Sequence, residues 1–191
     1  KMKLSIILSL CLLGVSCRAD EIRAHKTPED NVAADNIAEE TRQMIQSEQY
    51  ESAAGLILQL LEHSDYDDYF IRNIANINSS IFSSINNTTE AEPCKTIASC
   101  IVNTYKNRAV PEPVLMKLLF LGQYQLLHEI SRNEALVIDY NTSQILGRTF
   151  GTYFLIQAYG KPQDVNAVSI TRTESANLCT KYYEKAVQCA G

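Results

Sequence analysis

The chain has 191 residues, of which 46% are hydrophobic and 20% are charged, and its 17 basic side chains are outnumbered by 22 acidic ones. This composition excludes a collagen-like or broadly disordered chain and predicts one folded domain with its own core. The net charge of −5 argues against nucleic acid or an anionic membrane surface as a partner, because both attract basic proteins.

The N-terminal segment has the pattern of a secretory signal peptide. Lys1 and Lys3 precede a predominantly apolar, uncharged run over residues 4–15. A membrane-spanning helix needs about 20 apolar residues, so this run is too short to be an anchor. We therefore expect residues 1–19 to be removed and residues 20–191 to form the extracellular chain.

The mature chain is predicted to be all-helical, because apolar residues recur at steps of three or four and no stretch alternates apolar and polar residues over the length of a strand. Thr27 and Pro28 suit the start of the first helix, and Thr171 with Glu174 forms a capping box for the last. A polar linker over residues 86–93 is a candidate subdomain hinge within the single domain. In chain order, the predicted helices cover residues 28–46, 48–62, 64–85, 93–110, 114–130, 131–140, 142–159 and 172–188.

The predicted helix at residues 142–159 has one charged side chain, Arg148, and apolar residues on every side. A helix of this kind belongs in the interior of a molecule. Gly147 and Gly151 lie four residues apart on it, so they share a face on which a neighbouring helix can approach closely. We therefore predict a compact bundle of about six to eight helices around this buried apolar helix.

Four cysteines remain once the signal peptide is removed, and an even number in an oxidising compartment predicts two disulfides. Cys94 and Cys100 are about 9 Å apart along one predicted helix, which is too far for a bond between them. The same argument separates Cys179 from Cys189. Each bridge should thus join the fourth helix to the last, and antiparallel packing favours Cys94 with Cys189 and Cys100 with Cys179. These spacings lack the close cysteine pairs of a zinc site.

Four sequons for N-linked glycosylation fit a secreted protein. They lie at Asn78, Asn86, Asn87 and Asn141. Asn86 and Asn87 are adjacent, so we expect at most one of them to carry a glycan.

The sequence shows no pattern typical of catalysis, a metal site or a cofactor site. The three histidines are isolated, and phosphate-binding and nucleophile-elbow motifs are missing. The acidic run at residues 65–68 does not begin an EF-hand loop, because Phe70 and Asn76 stand where glycine and glutamate are needed. We expect no enzyme, cofactor or metal; a triad assembled from dispersed residues is the alternative that one sequence leaves open.

The cysteine arrangement and the apolar run at residues 149–156 resemble those of the small disulfide-stapled helical salivary proteins of mosquitoes and related blood-feeding flies. That group includes the helical C-terminal domain of the 30-kDa salivary allergens, which bind collagen, and the anopheline inhibitors of the alternative complement pathway. The resemblance is architectural and covers roughly residues 94–191. This chain lacks the Gly/Glu-rich N-terminal region of the collagen binders and has an extra helical N-terminal part.

The resemblance implies a secreted, non-enzymatic salivary protein that binds a host plasma or leukocyte protein and so modulates haemostasis, complement or leukocyte responses. The alternative is a secreted carrier of a small hydrophobic ligand, whose cavity the ten tyrosines could line, although core packing accounts for them more simply. We expect a monomer with no nucleic-acid partner and no membrane anchor. The candidate partner-binding surface is an acidic turn that suits a basic protein, unless it is only a solvated helix start. It consists of Asp65, Tyr66, Asp67, Asp68 and Tyr69.

Overall fold

A computed structural model describes residues 28–62, 81–82, 92–160 and 170–190, with the side chains of the first helix described from Asn36 onward. Within these ranges the chain forms seven helices and no strand, so the all-α prediction is confirmed. In chain order the helices are α1 (Pro28–Gln46), α2 (Tyr50–Glu62), α3 (Glu92–Thr104), α4 (Glu112–Phe120), α5 (Tyr124–Arg132), α6 (Tyr140–Tyr159) and α7 (Arg172–Cys189).

Several predicted segments lie outside the described residues. They are the signal peptide at residues 1–19 and most of both the helix at 64–85 and the hinge at 86–93. Of that helix, Ile81 and Phe82 are described as a buried π-helical turn. Glu92 and Pro93 belong to the first turn of α3, where a proline is tolerated because its missing N–H would have no helical partner. None of the described helices is long and apolar enough to cross a membrane.

Two helix starts match their sequence signals. α1 begins at Pro28, the predicted first residue. α7 begins behind Thr171, whose Oγ1 accepts a hydrogen bond from the Glu174 N–H at 3.2 Å. Both signals are local, so neither depends on how the rest of the chain packs.

The predicted helix at residues 114–130 is in fact two helices, α4 and α5, because the chain turns at Gly122. Gly122 has a φ of 68°, a left-handed conformation that glycine adopts at little cost. Its N–H donates to the carbonyl of Leu119 at 2.9 Å, and the Gln123 N–H donates to that of Leu118 at 3.0 Å. This Schellman arrangement satisfies the last carbonyls of α4 and lets α5 leave in a new direction. The prediction of one helix was wrong because the apolar spacing continues through the turn.

The prediction of a helix at residues 131–140 is also wrong, since most of this segment is a non-helical connection. Asn133 Oδ1 accepts a hydrogen bond from the Ala135 N–H at 3.0 Å, which favours a turn over a helix. α6 then begins behind Asp139, whose Oδ1 accepts from the Thr142 N–H at 2.7 Å. The Ser131 hydroxyl caps nothing and instead donates to the carbonyl of His128 at 2.7 Å.

The helices pack as two groups that meet at α4 and α5. In the first group α1 packs on α2, α2 on α3, and α3 on α5. In the second, α6 and α7 run antiparallel along each other, and α6 also contacts α4 and α5. Fully buried side chains such as Ile57, Ile97 and Leu115 fill the core, and each stabilises the fold by about 1.5–3 kcal/mol.

α6 is central, as predicted, but it is not buried on every side. Thr149, Phe150 and Tyr153 are buried, whereas Arg148 and Tyr159 are exposed. Tyr140, the first residue of α6, is exposed as well. From the next residue onward, the exposed residues are spaced by four or seven along the helix, so they form one narrow strip. They are Asn141, Arg148, Thr152 and Tyr159. The first three are polar and so mark the strip in the sequence, whereas Tyr159 is as aromatic as the residues that are buried and gives no such signal.

Candidate functional site

Most of the site residues predicted from the sequence lie outside the described residues. They are the acidic turn of Asp65, Tyr66, Asp67, Asp68 and Tyr69, and the sequons at Asn78, Asn86 and Asn87. Their roles stay predictions. The fourth sequon residue, Asn141, is exposed in the first turn of α6, so a glycan there would extend into solvent.

The four cysteines among the described residues are free thiols in the structure. Cys94 and Cys100 lie on α3, whose main neighbours are α2 and α5, whereas Cys179 and Cys189 lie on α7, which packs along α6. Among the described helices, α3 therefore packs mainly on helices other than α7. The predicted pairing would need the α-carbons of each bonded cysteine pair to lie within about 7 Å of each other. The two bridges are not shown, and the pairing of Cys94 with Cys189 and of Cys100 with Cys179 stays a prediction.

The thiols differ in their surroundings. Burial, and secondarily the Glu129 carboxylate, raise the pKa of the Cys94 thiol to about 12. Burial, followed by the Glu51 carboxylate, also raises the pKa of half-buried Cys100. Cys189 is exposed at the end of α7. A nucleophilic cysteine needs a lowered pKa, so neither Cys94 nor Cys100 has the surroundings of a catalytic thiol.

α6 and α7 form a closely packed helical hairpin. A Cβ atom added to Gly147 would lie 3.1 Å from two ring carbons of Tyr183, so the missing side chain is what allows this approach. Three residues further along α6, the ring of Phe150 stacks on that of Tyr182, with centroids 5.8 Å apart. The predicted close approach at Gly147 is confirmed.

Hydrogen bonds hold the end of α6 to the start of α7. Gln157 Nε2 donates to the carbonyl of Ile170 at 2.8 Å, and the Ser175 hydroxyl donates to Gln157 Oε1 at 3.2 Å. Ile170 itself is buried. These side-chain hydrogen bonds link the two helices at this end of the hairpin.

The same end of the hairpin carries an exposed aromatic and apolar surface. Tyr159 is 83% exposed, more than any other large hydrophobic residue in the described ranges. Arg172 lies over the Phe154 ring, with its guanidinium carbon 5.1 Å from the centroid, which is a cation–π contact. We call this surface the hairpin patch, and it consists of Phe154, Leu155, Ile156, Tyr159 and Arg172, of which the first three are half-buried.

Sequence reasoning missed the hairpin patch because it assigned all of these apolar residues to the interior. One local signal was present, since Gly160 directly follows Tyr159 and ends the helix there. The contact of Arg172 with Phe154 had no signal, because it depends on the packing of α6 against α7.

A buried polar cluster lies where α5 meets the hairpin. His128 is 3% exposed, and its ring packs edge-on against Phe150, with centroids 6.1 Å apart and an interplanar angle of 86°. Ser131, one turn later, accepts a hydrogen bond on its carbonyl from the Tyr182 hydroxyl at 3.0 Å. His128 Nδ1 has no hydrogen-bond partner within the part of the chain that is described.

Other buried polar groups have structural partners. Lys117 Nζ donates to the carbonyl of Leu61 at 2.9 Å, near the C-terminus of α2, where a cation is favoured by the helix dipole. The Tyr105 hydroxyl donates to Glu62; burial, and then this bond, raise the pKa of Tyr105. The described residues contain no group of three or more potential metal ligands.

Comparison with known proteins gives no relative. No protein-family model, curated protein or solved structure matches the chain.

Proposed function

We propose that the protein is a secreted, non-enzymatic binding protein that engages another extracellular protein through the hairpin patch. The setting is the one that the sequence resemblance implies, namely saliva, with a host plasma or leukocyte protein as the partner. The observation that supports the proposal is Tyr159, which is 83% exposed beside half-buried apolar residues in the last turns of α6.

The composition of the hairpin patch is that of a protein-binding hot spot. Tyrosine and arginine are enriched among the residues that contribute most to binding, because each offers a large contact area together with a polar group. Tyr159 and Arg172 supply these groups, and Leu155 and Ile156 supply apolar surface around them.

The hairpin patch is also ordered before any partner arrives. The bonds of Gln157 to Ile170 and Ser175 hold its two helices together. A surface that is already ordered loses less conformational entropy on binding, which favours affinity.

The carrier alternative has less support from the described tyrosines. Tyr124 and Tyr153 pack against each other with ring centroids 5.1 Å apart, and Tyr182 stacks on Phe150. All of these rings are buried against other protein rings, which is what core packing requires. The aromatic set therefore supports a packed core more than a ligand cavity.

The test is a binding screen of the chain from residue 20 to 191 against purified plasma and leukocyte-surface proteins, repeated with Tyr159→Ser. Losing a hot-spot aromatic costs about 2 kcal/mol or more, so affinity should fall about 30-fold. Phe120→Ser is the matched control, because Phe120 is also an exposed aromatic residue, 63% exposed, at the end of α4. It should leave affinity unchanged.

Equal affinity of the two variants for every protein bound by the wild type would remove the hairpin patch as the binding site. No binding in the screen, with release of a lipid-like or amine ligand from the natively purified protein in native mass spectrometry, would support the carrier instead.

A further inference from the structure

His128 occupies the contact through which α5 holds the hairpin. Its ring lies edge-on against Phe150 of α6, and its Nε2 lies 3.7 Å from Oε1 of Glu174 in the first turn of α7. The side chain is almost fully buried, while that of Glu174 is about half exposed. One imidazole therefore touches both helices of the hairpin.

The surroundings of His128 disfavour its charged form. Burial lowers the pKa of the imidazole, because a buried cation loses its hydration. On its own helix Glu129 raises this pKa and Arg132 lowers it, while Glu174 on α7 raises it. Phe150, the contact from α6, is uncharged. Loss of hydration is the largest of these effects and outweighs the two carboxylates.

The hydrogen-bonding geometry points the same way. A protonated imidazole donates from both nitrogens. Nε2 faces the Glu174 carboxylate, but Nδ1 has no partner among the described residues, so an added proton there would be buried without an acceptor. Burying a donor without an acceptor costs free energy, because the donor loses the hydrogen bond that it would make to water.

We propose that His128 makes the attachment of the α6–α7 hairpin to α5 sensitive to pH, so that protonation of its ring loosens the hairpin. The neutral ring fits the closed contact, and the charged ring is better hydrated when the contact opens. This inference concerns the fold alone and does not depend on what the hairpin patch binds.

The direction of the effect follows from linkage. An exposed histidine titrates near about 6.5, and the buried ring titrates below that value. The contribution of neutral His128 to the closed contact is therefore complete above about pH 6.5 and is lost as the pH falls towards the lowered value. Each unit by which burial lowers the pKa corresponds to about a tenfold change in the closing equilibrium at lower pH.

The test is amide hydrogen exchange at about pH 7.5 and about pH 5, read as protection factors so that the intrinsic pH dependence of exchange is removed. In the wild type, acidification should lower protection in α6 and α7 several-fold more than in α2, which is remote from His128. His128→Phe keeps a ring against Phe150 but cannot be protonated, so the extra loss in the hairpin should disappear. His128→Gln, which is polar and neutral, should behave in the same way and covers the case in which the phenylalanine variant does not fold.

NMR titration of the histidine ring protons gives a second readout that folding effects do not imitate. The resonance missing in His128→Gln identifies His128, which should titrate below an exposed histidine. Glu174→Gln should lower the pKa of His128 further, because the carboxylate favours the cation. Normal or raised titration of His128, or an unchanged acid response of the hairpin in both His128 variants, would overturn the inference.

Discussion

Gly147 of α6 lies directly beneath the ring of Tyr183 of α7, so closely that a Cβ atom on the glycine would be 3.1 Å from two ring carbons and 3.2 Å from a third. The distance between the two helices of the hairpin is therefore set at a residue with no side chain. The hairpin patch stands at one end of this same pair of helices, so its geometry depends on this contact.

Replacing Gly147 with leucine should destabilise the protein. The new side chain would overlap the Tyr183 ring, and overpacking of this kind costs about 1–3 kcal/mol. Gly55→Leu is the matched control, because Gly55 is exposed on α2 with open space around its Cα, and leucine is the better helix former. Thermal unfolding should show a lower midpoint for Gly147→Leu only; equal midpoints would contradict the close approach.

Gly122 should be sensitive to substitution for a different reason. An added Cβ would meet only Tyr124 Cε2, at 3.7 Å, so there is no clash, but the φ of 68° is strained for any residue with a Cβ. Gly122→Ala should lower the free energy of unfolding by about 1 kcal/mol, measured by chemical denaturation. Asparagine tolerates this conformation better, so Gly122→Asn should lose less. If Gly122→Ala and Gly122→Asn both left the free energy of unfolding unchanged, the left-handed conformation of Gly122 would be contradicted.

Lys117→Met should be destabilising although methionine suits a buried site. The substitution removes the donor to the Leu61 carbonyl, and losing one partner of a buried hydrogen bond costs about 1–3 kcal/mol. Lys95→Met is the control, because Lys95 is exposed and makes a surface ion pair with Glu92 at 3.7 Å, worth under about 1 kcal/mol. Denaturation curves in which the two variants coincide would show that the bond of Lys117 adds nothing.

The thiols provide a chemical test of the fold. In the reduced, folded protein, an alkylating reagent should modify exposed Cys189 first and Cys94 last, because burial raises the pKa of the Cys94 thiol to about 12 and little thiolate forms. Tandem mass spectrometry of timed samples gives the order. Fast modification of Cys94 would contradict its placement in the core.

The same peptides, prepared without reduction from secreted protein, test the predicted bridges. Linked peptides joining Cys94 to Cys189 and Cys100 to Cys179 would confirm the pairing and require α3 to approach α7. Peptides with four free thiols would agree with the structure instead.

The helix ends show which features a sequence can reveal. Thr171 and Pro28 mark helix starts correctly, because a cap acts on the next few N–H groups and on nothing distant. The helix start predicted at Ser131 is wrong, because the side chains of Asn133 and Asp139 accept backbone hydrogen bonds that favour a turn and a later helix start. The spacing of apolar residues contains no information about these bonds. The break at Gly122 was marked by the glycine itself.

The hairpin patch and the His128 contact could not be predicted in this way. The last turns of α6 are apolar apart from Gln157, so the sequence does not say that Tyr159 stays exposed; that depends on where α4, α5 and α7 pack. His128 reads as an isolated histidine, and only the fold brings Phe150 and Glu174 to it. The hairpin patch and the His128 contact both depend on contacts between residues that are far apart in the sequence.

Hydrogen exchange of the chain in complex with a protein identified in the binding screen tests the proposed function most directly. The partner should increase protection at the end of α6, from Phe154 to Tyr159, and in the first turn of α7 at Arg172, and should leave α1 unchanged. Protection confined to residues 65–69 would instead assign binding to the acidic turn, and protection at neither place would contradict both surfaces.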